Sequence, residues 1–191
     1  MNRNSITVVS GLPRSGTSLM MSMLEAAGIE PLQDDVRKAD TDNPKGYYEL
    51  ERVKHLESDH QWLADAKGRS IKIVSRLITA LQPGLQYKVI WMQRDFDEIV
   101  SSQLAMLQRP GNFNPNIPEN KIRSMLLQHV DKTLSWLDNQ DHIDHIFIDY
   151  NQLIISPEEE VNRLAGFLGG VDAKQMIGCI DPVLYRNRRL S

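Results

Sequence analysis

The chain has 191 residues, 41% of them hydrophobic and 25% charged, with a formal net charge of −3 at pH 7. That length suits one domain with a sizeable core, and the mild negative charge argues against a nucleic-acid duplex or an anionic membrane surface as main partner. A single cysteine, Cys179, excludes an internal disulfide and fits a reducing compartment.

No run approaches the roughly eighteen apolar residues of a membrane span, and the apolar run near the N-terminus is too short for a secretory core. The expectation is a single domain over 1–191 in the cytoplasm.

The predicted elements alternate. SITVVS (Ser5 to Ser10) is a β-branched run that ends at Gly11 and reads as a buried strand. Leu19, Met20, Met23, Leu24 and Ala27 then recur at helical spacing, with Gly28 as the stop. Apolar positions Leu50, Val53, Leu56 and Leu63 predict a helix over 49–63. SIKIV and YKVIWM (Tyr87 to Met92) read as buried strands, and DEIVSSQLAMLQ as the helix after the second. Arg109 to Asn120 carries three prolines and four asparagines and is a loop, either a plain connector or a mobile lid beside the site. Residues 120–140 form the longest helical pattern, and HIFIDY (His145 to Tyr150) a further strand. Ser156-Pro157-Glu158-Glu159 opens a last helix with a capping serine and a proline at the first position. Such alternation predicts an α/β fold, a mostly parallel sheet covered on both faces, with ligands outside the carboxyl ends of the strands.

The loop after the first strand carries the chemistry. Gly11 and Gly16 have the spacing of a phosphate-binding P-loop, G-x-x-x-x-G-K-[ST], and Ser18 closes the pattern, but Thr17 stands where the lysine belongs. A Gly-rich turn feeding a helix aims backbone N–H groups and the positive end of the helix dipole at one point. That requires glycines and a helix, and no lysine. Thr17 and Ser18 add hydroxyls, and Arg14 adds a planar fork able to grip two anionic oxygens.

The stretch GLPRSGTSLMMSML resembles the 5′-phosphosulfate loop of sulfotransferases that use 3′-phosphoadenosine-5′-phosphosulfate (PAPS), closest to the tyrosylprotein type with its Pro-Arg-Ser-Gly-Thr. VIWMQRDFDEIVSSQ resembles that family's 3′-phosphate segment, with Arg94 closing a strand and Ser102 eight residues on. IDYNQLIISPEEEVNRLAGFLGG resembles the family's last strand and helix, where Tyr150 takes the place of a tyrosine near the adenine; a half-buried strand tyrosine is the plain alternative. The likeness runs with gaps from about Ile6 to Gly170. It implies a P-loop α/β/α sandwich and binding of PAPS, or its product 3′-phosphoadenosine-5′-phosphate (PAP), by Gly11, Pro13, Arg14, Ser15, Gly16, Thr17, Ser18, Arg94, Ser102 and Tyr150. It also implies no metal, and Arg14 and Lys72 as stabilisers of the leaving group.

Two departures matter. The cytosolic members carry Lys-x-His before the 3′-phosphate segment, the histidine serving as base; here Lys72 is followed by Val74 at the histidine position. Their C-terminal Arg-Lys-Gly is also missing, and Arg186, Arg188 and Arg189 are either a substitute or a solvated tail. Tyrosylprotein members use a glutamate after the first helix, which points to Glu49 as base, with Asp35, Asp40 and Asp42 as competitors. The implied activity is sulfuryl transfer to a small-molecule or carrier-bound hydroxyl or amine. A non-catalytic PAPS- or PAP-binding module stays open, as does a degenerate P-loop kinase, against which the absent Walker-B aspartate speaks.

Overall fold

Parallel pairing of β1 (Ser5–Gly11) with β2 (Ser70–Lys72) and β3 (Gln86–Gln93), and of β3 with β4 (Ile143–Asp149), builds a four-stranded sheet ordered β2-β1-β3-β4 in the computed structural model. The structure describes residues 4–34, 36–37, 46–107 and 118–181. Asp35, Asp40 and Asp42, the Arg109 loop as far as Ile117, and the three tail arginines lie outside the described residues.

Every residue of β1 is buried, as a strand covered on both faces must be, and its β-branched run supplies a side chain to each. On one face Ile6, Val8, Val89 and Trp91 meet Leu56, Trp62, Leu63 and Ile78, with Leu134 and Leu137 of α3 (Glu119–Leu137) packed alongside. On the other, Val9, Ile90, Met92 and Ile148 meet Met20, Met23 and Leu24 of α1 (Thr17–Ala26). Leu153 of α4 (Tyr150–Ile155), Val161 and Leu164 of α5 (Pro157–Leu168) and Met176 of α6 (Ala173–Ile177) complete that second layer. The result is the expected α/β/α sandwich.

The strand order fixes where a ligand fits. From β1 the chain passes to β2 on one side, and from β3 to β4 on the other, so adjacent β1 and β3 diverge at their carboxyl ends. Such a switch point opens a crevice. Its two walls are the loop after Gly11 and the turn from Gln93 into α2 (Phe96–Leu107).

Five expectations need correction. Residues 49–63 form no α-helix; two 3-10 turns, Glu51–His55 and Gln61–Ala66, replace it. Between them the Ser58 hydroxyl and N–H both bond back to the His55 carbonyl, at 3.1 and 2.9 Å. The strand read in SIKIV shrinks to Ser70–Lys72, and a 3-10 turn, Ser75–Ala80, starts after Val74. Tyr150 is not on a strand but opens α4, because the Asp149 carboxylate caps the turn by accepting from the Gln152 N–H at 2.9 Å. Ser156 precedes Pro157 as foreseen, yet its hydroxyl makes no capping bond; its backbone N–H closes α4 onto the Gln152 carbonyl instead. The Arg109 loop also ends sooner than expected, since Glu119 and Asn120 already belong to α3.

The 3-10 segment contributes core even without an α-helix. Leu63 is fully buried, so Leu63→Ala is expected to lower stability by about 2–4 kcal/mol in urea unfolding. A loss below about 1 kcal/mol would show that this segment does not seal the sheet.

Candidate functional site

The loop between β1 and α1 is shaped by close approach. A Cβ on Gly11 would lie 2.7 Å from both the Met92 carbonyl oxygen and Ser15 Oγ, and one on Gly16 would lie 2.2 Å from the Tyr150 ring. Both glycines have positive φ, 146° and 94°, so no other residue fits either place. The turn is closed by the Ser15 N–H on the Leu12 carbonyl at 3.2 Å, and the helix begins with the Met20 N–H on Gly16 at 3.1 Å. No side chain caps α1, which leaves its first-turn N–H groups aimed outward with the positive end of the dipole. The buried hydroxyl of Ser15 has no hydrogen-bond partner among the described residues. Pro13 is exposed at the tip of the turn, and Thr17 and Ser18 start the helix half-buried. Glycines, an uncapped helix start and flanking cations fit a phosphate-type anion.

Arg14 lies in the left-handed region, φ 76°, a conformation that costs a non-glycine residue about 1–2 kcal/mol. The twist turns its carbonyl toward β3, where Arg94 Nη1 donates to it at 2.9 Å. Arg14 Nε in turn donates to Ser102 Oγ on α2 at 2.9 Å. Arg94 itself is buried beside Glu98, with Nε 2.8 Å from Oε2 and the side chains 8% and 5% exposed. Its guanidinium stands 4.8 Å over the Tyr150 ring, within cation–π range. Asn151 braces this corner, its amide nitrogen on Glu98 at 3.4 Å and its amide oxygen accepting from the Asp95 N–H at 2.9 Å. Four residues picked from three separate segments, Arg14, Arg94, Ser102 and Tyr150, thus share one corner.

Lys72 ends β2 on the other side of the loop. Its Nζ donates to the Tyr47 carbonyl and, at 3.4 Å, to Ser18 Oγ. The Glu49 carboxylate stands 3.6 Å from Lys72 Nζ and 2.8 Å from Arg37 Nη1, and Arg37 stacks 3.4 Å over the Tyr47 ring. Burial is the main cause that lowers the Lys72 pKa to about 8, partly opposed by the nearby Glu49 carboxylate. Glu49 lies on extended chain just before the first 3-10 turn, so its link to Lys72, not a helix dipole, defines its surroundings. Val74 is 39% exposed and offers no proton acceptor.

A cavity of about 320 Å³ adjoins the loop through Leu12 and Arg94, and is walled by Trp91, Phe96, Ile99 and Val130. Among the described residues no three His, Cys, Asp or Glu side chains are grouped to hold a metal ion, and no helix is long and apolar enough to cross a membrane. Sequence reasoning missed Glu98, Asn151, Tyr47, Arg37 and Asp34. Only Glu98 left a signal, its i,i+4 spacing from Arg94.

No protein-family model and no curated protein matches the chain. Solved structures do. A sulfotransferase domain of a Synechococcus olefin synthase matches at TM-score 0.58 and 17% identity over 96% of this chain and 86% of its own. A Mycobacterium avium sulfotransferase matches at 0.57 and 13% identity, covering 94% of this chain and 67% of that one. A mouse sulfotransferase complexed with PAP matches at 0.56 and 14%, over 92% of this chain but only 63% of the mouse chain. The protein has the fold of the sulfotransferases.

The buried ammonium has a measurable cost. With a pKa near 8 in the folded chain against 10.5 normally, Lys72 is charged in both states below pH 8, where its burial costs most. Stability is gained as pH rises from about 8 to 10.5, since the folded chain releases the proton first. Lys72→Met is therefore expected to be more stable than the wild type at pH 7, by up to about 3 kcal/mol. That advantage should shrink through the same window in denaturant titrations. A pH-independent difference would mean that Lys72 titrates normally.

Proposed function

We propose that this protein is a PAPS-dependent sulfotransferase of the cytoplasm that acts on a hydroxyl or amine of a small-molecule or carrier-bound acceptor. The observation that carries the reading is the joined corner of Arg14, Ser102, Arg94 and Tyr150 against the uncapped start of α1. A nucleotide with phosphates at both 5′ and 3′ positions asks for two anion sites spaced by a ribose, and mononucleotide triphosphates do not. The match in fold to a protein complexed with PAP supports the same ligand class.

In this reading the loop residues Gly11, Pro13, Ser15, Gly16, Thr17 and Ser18 hold the 5′ end, while Arg94 and Ser102 hold the 3′-phosphate. Tyr150, whose ring already backs Gly16 and Arg94, lies toward the base. PAPS supplies the sulfuryl group and a phosphate leaving group. The chain's part is electrostatic and needs no magnesium. Arg14 and Lys72 present fixed positive charge beside the helix start, and the Glu49 carboxylate takes the acceptor's proton. Lys72 keeps Glu49 near that charge.

Thermal unfolding with PAP, ADP and ATP, each with and without magnesium, tests the ligand class. At a hundredfold excess over Kd a ligand adds about 2.7 kcal/mol, a rise of roughly 5–10 °C for a domain this size. PAP alone should give it, without magnesium; a larger magnesium-dependent shift with ATP would favour a kinase.

The 3′-phosphate assignment has its own test. Arg94→Ala alone would strand the buried Glu98 carboxylate, so the clean variant is Arg94→Gln with Glu98→Gln. It should lose about 10–100-fold more in PAP affinity than in ADP affinity, any loss shared by both ligands reporting the lost bond to the Arg14 carbonyl; no excess loss for PAP would locate the 3′-phosphate elsewhere. Glu49→Gln should bind PAP as the wild type does and turn over about 10²–10⁴-fold more slowly. Tight PAP binding with no acceptor found in a screen of alcohols, phenols and amines would favour a binding module. A carboxylate already held by Arg37 and Lys72 gives that alternative some support.

A further inference from the structure

Asp34 is joined to the stretch around Glu49 by two hydrogen bonds and to its own turn by a third. Its backbone N–H donates to the Glu49 carbonyl at 2.9 Å. One carboxylate oxygen accepts from the Val36 N–H at 3.1 Å, and the other from the Glu51 N–H at 2.6 Å. One side chain therefore clamps the outgoing and returning ends of the 34–51 segment, and its contacts bracket Glu49 on both sides. The base of the clamp is itself fixed. Pro31 pairs with Ser70 in a parallel bridge, and the Leu32 N–H donates to the Ser70 carbonyl at 2.7 Å. Ser70 opens β2, the strand that ends at Lys72. Clamp and lysine thus rest on the same strand.

What the clamp holds is the set of groups facing the Lys72 ammonium from that segment: the Tyr47 carbonyl, the Glu49 carboxylate and, behind Glu49, the Arg37 guanidinium. Among the described residues the remaining close partner is Ser18 Oγ from α1. Glu49 and Arg37 form a half-exposed pair, which by itself holds a side chain weakly. A backbone anchor is what keeps the carboxylate at a constant distance from Nζ.

We infer that Asp34 is a positioning residue, whose carboxylate sets Glu49 against Lys72 without touching nucleotide or acceptor. The inference rests on the reading of Glu49 and Lys72 as reacting groups, but its physical core, the coupling of the two, is measurable without any turnover. Asp34→Asn keeps size but leaves one acceptor oxygen for two N–H groups, so it gives up one of the Val36 and Glu51 bonds while the backbone bond to the Glu49 carbonyl stays.

The test is a double-mutant cycle read on the titration of Lys72, followed by the ¹³C shifts of its side chain. In the wild type, Glu49→Gln removes an opposite charge from a buried ammonium, so the Lys72 midpoint moves to lower pH. In an Asp34→Asn background the same substitution should move it less, because the carboxylate is no longer held at a constant distance from Nζ. Leu164→Ala, destabilised in α5 on the other face of the sheet, should preserve the full Glu49 effect and so serves as the control for loosened structure. Unchanged PAP affinity in Asp34→Asn shows that the loop is intact. With an acceptor in hand, Asp34→Asn should lower kcat about 10–100-fold with KM for PAPS unchanged, and Asp34→Glu should recover part of it. An equal Glu49→Gln shift in both backgrounds overturns the inference, whatever the ligand proves to be. A reduced shift with no turnover in any variant keeps the clamp and rejects the catalytic reading.

Discussion

A buried guanidinium organises this site. Arg94 and Glu98 are both withdrawn from water, and taking two charges out of solvent costs several kcal/mol per ion before their attraction is counted. Such a pair is a poor source of stability and a good source of geometry. Arg94 spends Nε on Glu98, Nη1 on the Arg14 carbonyl and its flat face on Tyr150. Those contacts hold the loop after β1 in a left-handed turn that Arg14 would otherwise avoid, and hold Tyr150 where it forbids any side chain at Gly16. Loop, third strand and fourth helix are adjusted to one another through a single side chain.

The sheet made that meeting possible. With order β2-β1-β3-β4, the carboxyl ends of β1 and β3 are neighbours although Gly11 and Gln93 stand 82 positions apart in the chain (11 to 93). Motifs far apart in sequence reach one crevice because parallel strands all deliver their ends to the same edge. Lys72 arrives on the far side of β1 by the same logic, and so flanks the loop opposite Arg94.

Strands, main helices and the anion loop were legible because their signals are local: β-branched runs, 3.6-residue periodicity, glycines at fixed offsets. Legibility failed where partners are distant. The helix expected over 49–63 has acceptable apolar spacing, and nothing within it announces that the chain folds as two 3-10 turns instead. Tyr150 sits at the end of an alternating run, and only the Asp149 cap turns it into a helix start. At the site, Arg14 and Arg94 stood out by position after strands and Lys72 through the family resemblance, while Glu98, missed, left only its spacing from Arg94 as a signal. Asp34 and Asn151 were invisible: an aspartate in a polar stretch and an asparagine after a strand acquire meaning only from the backbone groups that folding brings to them.

The depressed pKa of Lys72 gives the fold one more property. Near pH 8 the ammonium is about half ionised, and it shares Ser18 with the start of α1, so an anion that settles there favours the protonated form. Arrival of such a ligand draws a proton from the buffer and departure returns it. In the proposed reading, proton uptake of this kind would accompany binding of an anion at Ser18. Heat released on binding will accordingly depend on the ionisation enthalpy of the buffer around it.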